Sequence, residues 1–110
     1  MCIFCRIIKD EKETNFIYQD KDIVAFRDIN PAAPVHILIV PRKHIESINH
    51  LEKKDKSLIG KMFLIAKQIA KEQNVAEKGY KLIFNVGRGG GQIIDHVHLH
   101  LLSGRIGKMP

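Results

Sequence analysis

A chain of 110 residues fits one compact domain, spanning 1–110, and leaves little room for a second. Hydrophobic residues make up 45% and charged residues 27%, an ordinary globular mixture, and no apolar run approaches the ~18 residues of a membrane span. The 18 Lys and Arg against 12 Asp and Glu give +6, but the lysines are scattered, with no arginine-rich arm and no aromatic-basic alternation. Such an excess suits small polyanions as well as nucleic acid, and most of these lysines read as a solvated face, so neither a nucleic-acid nor a membrane partner is expected.

The opening Met1-Cys2-Ile3-Phe4-Cys5 lacks the basic-then-apolar layout of a signal peptide, and a cytoplasmic protein is expected. In a reducing compartment Cys2 and Cys5 are not expected to form a structural disulfide. A Cys-x-x-Cys pair can be redox-active or can hold half of a zinc site, and alone it decides nothing. An early hairpin is read around Ile7-Ile8 and Ile17-Tyr18. Asp22 to Arg27 is β-branched and aromatic enough for a strand. Asp28 to Pro34 is a turn punctuated by two prolines, and Val35 to Val40 reads as a buried strand stopped by Pro41. His44 to Ile48 is read as a short helix. Asp55 to Gln73 is the strong helix, with Asp55 or Ser57 as cap and apolar residues at Leu58, Met62, Ile65, Ile69 and at Ile59, Phe63, Ala66, Ala70. Tyr80 to Asn85 is another strand, Val86 to Gln92 a glycine-rich loop, and Ile93 to Leu102 the last strand. The sum is an α+β domain, an antiparallel sheet with one long helix and a short one. The long helix is apolar over two adjoining faces, more than one sheet covers, which points to a homodimer interface.

Three of the six histidines stand two apart, at His96, His98 and His100. Alternate side chains of a strand share a face, so they would form a row while Val97, Leu99 and Leu101 face the core. Such a row can supply a nucleophile, a donor to developing charge and a proton carrier near neutral pH. Two histidines of the row could instead share a metal ion, though all three could not easily do so. The loop Asn85-Val-Gly-Arg-Gly-Gly-Gly-Gln92 leads directly into it. Glycine lets backbone N–H groups approach an anion, Arg88 could add positive charge and Asn85 an amide donor. Together they describe a phosphate held beside a nitrogen nucleophile.

His96-Val-His-Leu-His-Leu-Leu102 resembles the signature His-φ-His-φ-His-φ-φ (φ apolar) of the histidine triad family of nucleotide hydrolases and transferases. The resemblance runs along nearly the whole chain. Ile3-Phe4-Cys5-Arg6-Ile7-Ile8 is similar to the family's opening strand, Phe26 to His36 to its nucleoside-binding turn, and Pro41-Arg-Lys-His44-Ile to its next landmark. Gly90-Gly91-Gln92 and Gly104-Arg105 resemble the Hint branch, the purine nucleoside phosphoramidases. This implies a histidine triad fold with the sheet extended across a homodimer, joined through the long helix and the strand near Tyr80. It implies His98 as the nucleophile attacking the α-phosphorus to give a covalent nucleotidyl-histidine, and His100 as contact to the phosphate and helper of the leaving group. His96 completes the triad. Asn85, Gly91 and Gln92 would meet the phosphate, and Asp28 the ribose hydroxyls. Phe4, Ile7, Phe26 and Ile29 would line the slot for a purine. The product would be a nucleoside monophosphate, and no metal would be required for the chemistry. Relatives with this opening bind zinc, which implies a structural zinc ion on Cys2, Cys5, His44 and His96. The alternatives are a dinucleoside polyphosphate hydrolase and a nucleotide- or zinc-binding module without turnover. Two departures stand out: Ile93 where members often carry a polar residue near the phosphate, and Asp95 where an aromatic is common.

Overall fold

The computed structural model describes residues 2–10 and 14–105, so the end of the tail past Arg105 lies outside the described residues. Among the described residues five antiparallel strands form one sheet: β1 (Tyr18–Gln19), β2 (Ile23–Arg27), β3 (Val35–Pro41), β4 (Lys81–Ile83) and β5 (Leu99–Ser103), in the spatial order β1-β2-β3-β5-β4. The α-helices α1 (Ile3–Lys9) and α2 (Lys56–Glu72) pack on it. The expected α+β antiparallel architecture is therefore present.

The strands alternate between two cores, because successive side chains of a strand point to opposite faces. Ile23 and Ala25, Ile37 and Ile39, and Leu99 and Leu101 meet Met62, Ile65, Ala66, Ile69 and Ala70 of α2. Val24, Phe26, Leu38 and Val40 meet Phe4 of α1, with Ile7 and Ile8 against them. A sheet covered on both faces explains why β3 reads as a continuous apolar run. His36, between Val35 and Ile37, shares the α1 face with Leu38, as does His100, whose Cα opposes that of Leu38 in the β3–β5 ladder.

Several expected elements change. The opening segment is not a strand or the arm of a hairpin but α1. Phe4, Ile7 and Ile8 stand three and four apart, the spacing of a helix face, and the Cys2 sulfur caps the helix, Sγ accepting from the Cys5 N–H at 3.2 Å. The first hairpin joins β1 to β2 instead. It is tied by the Asp20 carboxylate, which accepts from the Tyr18 hydroxyl at 2.6 Å and from the N–H groups of Asp22 and Ile23 at 2.7 and 2.8 Å. His44 to Ser47 is irregular, and only a 3₁₀ turn at Ile48–His50 follows it. The long helix begins at Lys56, and Asp55 caps the turn before it, its carboxylate accepting from the Glu52 N–H at 2.9 Å. The last strand starts at Leu99, six residues later than expected. Its ladder with β3 runs only to the Ile39–Leu99 pair. Pro41, further along β3, has no N–H to extend it.

Candidate active site and metal centre

His96 and His98 thus precede β5 rather than sit in it. Their segment is held by other means: the Val97 N–H donates to the Ile45 carbonyl at 2.7 Å, and His96 Nε2–H donates to the Pro41 carbonyl at 2.8 Å. The alternation survives, with Val97 in the α2 core and the His98 ring on the other side, 4.9 Å from the Phe4 ring and 4.8 Å from that of His100.

Hydrogen-bond partners assign the ring protons. His98 Nδ1 lies 2.7 Å from the His96 carbonyl oxygen, which can only accept, so Nδ1 carries the proton and Nε2 a free lone pair. Ala32 N–H donates to His36 Nδ1 at 3.0 Å, so His36 carries its proton on Nε2. That N–H donates to His100 Nδ1 at 2.9 Å, which leaves the His100 proton on Nε2. A neutral donor and a lone pair therefore stand side by side. Burial pushes the pKa of His96, His98 and His36 below that of a free imidazole. Burial, joined by the neighbouring His98 and His36, takes His100 down to about 4. His36 was not singled out from the sequence as a site residue. Its contact with His100, 64 positions away, depends on the pairing of β3 with β5.

His98 and His100 open onto a cavity of about 750 Å³. Phe4, Ile7, Phe26 and Leu38 line its apolar side, Asp28 and Ile29 one rim, and Asn85, Gly91 and Ile93 another. Every residue assigned to the base, ribose and phosphate lies on this cavity except Gln92. The Gln92 side chain turns inward and is 2% exposed: Oε1 accepts from the Gly87 N–H at 2.9 Å, and Nε2 donates to the carbonyls of Glu46 and Ile94 at 2.7 and 3.0 Å. Its amide is spent on holding the glycine loop, not on a phosphate. Ile29, at 92% exposure, forms an open lip rather than a closed wall. Asp28 Oδ1 accepts from the Asn30 N–H at 2.8 Å, and the carboxylate faces His36 at 3.5 Å. Arg88 does not supply a free charge either, since it pairs with Asp95 at 2.9 and 3.0 Å. Among the described lining residues the one Lys or Arg is Arg27, which donates to Gln73 at 3.3 Å.

Two clusters of metal-ligating groups occur among the described residues. In the first, Asp28, His36 and His100, the Ala32 N–H already occupies His36 Nδ1, so a metal on Nε2 would demand an imidazolate. The second fits. Zinc bonds of ~2.3 Å to sulfur and ~2.0–2.1 Å to nitrogen put the corners of a tetrahedron roughly 3.3–3.8 Å apart. Cys2 Sγ lies 3.1 Å from Cys5 Sγ, 3.6 Å from His44 Nδ1 and 3.3 Å from His96 Nδ1. Cys5 Sγ lies 3.3 and 3.6 Å from the same nitrogens, which are 3.2 Å apart. The four sulfur–nitrogen edges and the nitrogen–nitrogen edge are within roughly 0.3 Å of those values, and the sulfur–sulfur edge is shorter than the ~3.8 Å of two zinc-bound thiolates. His96 Nδ1 is moreover a bare lone pair, because its proton is on Nε2 facing Pro41. Burial raises the pKa of the Cys5 thiol, with Cys2 adding to it, and a bound cation would offset that.

Residues 1–108 match the family described as scavenger mRNA decapping enzyme C-terminal binding. The purine nucleoside phosphoramidase of Escherichia coli (strain K12) is 45% identical over 103 residues, covering 94% of this chain and 87% of that protein. An uncharacterized HIT-like protein of Buchnera aphidicola subsp. Baizongia pistaciae is 48% identical over 107 residues, covering 96% of each. The crystal structure of a HIT family hydrolase from Legionella pneumophila Philadelphia 1 superposes with a TM-score of 0.91 at 47% identity, covering 96% of this chain and 94% of that one. The chain belongs to the histidine triad (HIT) family and is a hydrolase.

Proposed function

We propose that this hydrolase cleaves the P–N bond of purine nucleoside phosphoramidates, or related nucleotidyl conjugates, through His98, releasing a nucleoside monophosphate. The observation that carries the reading is the pair of opposed tautomers, the His98 Nε2 lone pair beside the His100 Nε2–H. Covalent catalysis divides the reaction in two. His98 Nε2 attacks phosphorus as the bond to the amine breaks. His100 donates a hydrogen bond to the phosphate and its departing group, and Asn85, one of whose amide N–H groups is on the Gly90 carbonyl, offers the other to the phosphoryl oxygens beside Gly91. Water then breaks the P–Nε2 bond. One water is consumed over the two steps, its proton matching the one the amine carries off.

Hydrolysis of a dinucleoside polyphosphate is the weaker reading. A leaving group with several more phosphates calls for cations, and Arg27 alone of the described lining residues provides one. Adenosine phosphoramidate is the substrate for the test, with AMP as product. His98→Ala should lower kcat by roughly a thousandfold or more without loss of fold. A near-normal rate in that variant would remove His98 from the mechanism, and no AMP from the unaltered protein would remove the reading itself.

The same reading places a structural zinc ion on Cys2, Cys5, His44 and His96. When bound, it would crosslink the start of α1 to the segment before β5. About one zinc per chain in protein purified without added metal or a histidine tag is the expected result. It should be lost in a Cys2→Ser/Cys5→Ser variant together with several degrees of Tm, whereas protein that stays metal-free when zinc is offered refutes the site. We also infer a cytoplasmic homodimer, supported by the exposed Phe63 and Leu64 of α2 and by the position of β4 at the sheet edge. Light scattering at micromolar concentration reads the dimer directly, and a monomer there would exclude it.

A further inference from the structure

We propose that the Arg88–Asp95 pair is a positioning clip that fixes the glycine loop relative to the nucleophile, and that neither side chain is itself a phosphate ligand. The inference rests on the hydrolase reading above. Four of the six residues from Gly87 to Gln92 are glycine, with Gly87 and Gly91 at φ +70° and +86°. Such a backbone has many conformations to lose before it can hold Gly91 in one place at the cavity. Its root is set by the buried Gln92 amide, and turns inside it join Gly90 N–H and Gln92 N–H to the Gly87 carbonyl at 3.1 and 2.9 Å.

The outer half is fastened by Arg88. One Nη donates to the Gln92 carbonyl, and the two together grip the Asp95 carboxylate at 2.9 and 3.0 Å. A two-pronged guanidinium–carboxylate pair fixes direction as well as distance. Asp95 is the residue before His96, whose carbonyl holds His98 Nδ1. At the loop end, Asn85 Nδ2 donates to the Gly90 carbonyl at 2.8 Å. The clip therefore spans from the phosphate side of the cavity to the backbone that aims the nucleophile. The pair itself is well exposed, at 64% and 60% for the two side chains, so its effect is local and the global fold does not depend on it.

The test compares Arg88→Ala, Asp95→Ala and the double variant. Each single change should lower kcat/KM for adenosine phosphoramidate roughly tenfold, mostly in kcat, because a loop displaced by about an ångström shifts Gly91 and the Asn85 amide held by the Gly90 carbonyl. Tm should move by no more than about 2 °C. Amide hydrogen exchange at residues 87–95 should quicken in all three. The double variant should be no worse than Arg88→Ala alone, since that change already breaks the whole clip. If Arg88 instead binds phosphate, Asp95→Ala frees its charge and tightens AMP binding while Arg88→Ala weakens it, and that opposition overturns the clip. So do losses that multiply in the double variant, or unchanged exchange in the single ones. Should the unaltered protein fail to hydrolyse the substrate, the hydrolase reading falls, and the clip is still decided by exchange at 87–95.

Discussion

His36 does not line the cavity, yet replacing it should slow the chemistry. In His36→Phe the ring is kept and both nitrogens are lost. The Ala32 N–H, in an exposed turn, can turn to water. His100 Nδ1 has no such substitute: its donor at 2.9 Å is gone, and nothing then holds the ring so that Nε2–H faces the phosphate. Losing a buried hydrogen bond of this kind costs about 1–3 kcal/mol. If that loss falls on the transition state, about 1.4 kcal/mol per decade makes it a roughly 5- to 150-fold fall in kcat. KM should change little, because the residues on the base and ribose are untouched. His36→Gln is the control, since its amide can accept from Ala32 and donate to His100, and it should recover much of the rate. Steady-state kinetics on adenosine phosphoramidate decides the matter. An unchanged kcat in His36→Phe, or a loss confined to KM, would refute the reasoning.

Acid should weaken the fold through His100, which faces His98, His36 and Asp28. Its pKa is about 4 in the native state against 6.5 for the free group. The unfolded chain therefore takes up a proton near 6.5 while the native one does not, and stability is fully present above that pH and lost as pH falls toward 4, by on the order of 2–3 kcal/mol at most. Urea midpoints at pH 7 and 4.5 should show this fall, with a shallower one in His100→Gln, and an equal slope in the two proteins would contradict it. Gly104→Ala should destabilise strongly, because Gly104 has φ +99° and a Cβ there would lie 2.8 Å from two carbons of the Pro34 ring, which cannot swing aside. A Tm drop of roughly 4–8 °C or more is expected, and an unchanged Tm would refute it. Asp28→Asn keeps the acceptor for the Asn30 N–H but loses the charge, so KM should rise roughly tenfold with kcat nearly spared. A loss in kcat alone would exclude the ribose role.

The sequence already carried the alternation that organises the site, since Val97, Leu99 and Leu101 enter the α2 core while His98 and His100 look the other way. It did not carry the length of the strand. That was decided by where β3 stops offering a partner, a property of Pro41 rather than of residues 93–98. The opening segment reads as a strand because β-branched Ile3, Ile7 and Ile8 favour strands on propensity, whereas the spacing of Phe4, Ile7 and Ile8, the cap by Cys2 and packing on Phe26 and Leu38 make it a helix. Gln92 is expected at the phosphate from the family resemblance alone, and the inward bonds of its buried amide depend on the fold of the loop. His36 and the Arg88–Asp95 pair share one difficulty: each is a contact between residues whose types are ordinary and whose meeting depends on the fold.

The three triad histidines are therefore not three copies of one role, and the backbone explains how one short segment keeps them apart. His96 turns its proton to the Pro41 carbonyl and its lone pair to Cys2, Cys5 and His44, away from the cavity. The His96 carbonyl then receives the His98 proton, which turns the next lone pair toward the cavity. Phe4 stands between the two tasks, its ring 5.9 Å from that of His96 and 4.9 Å from that of His98. It sits on α1 between Cys2 and Cys5, so whatever fixes those thiols also fixes a wall of the cavity. A single backbone path from Pro41 through His96 to His98 thus joins the cluster that could hold a metal ion to the histidine that opens on the cavity, without either sharing a ring nitrogen with the other.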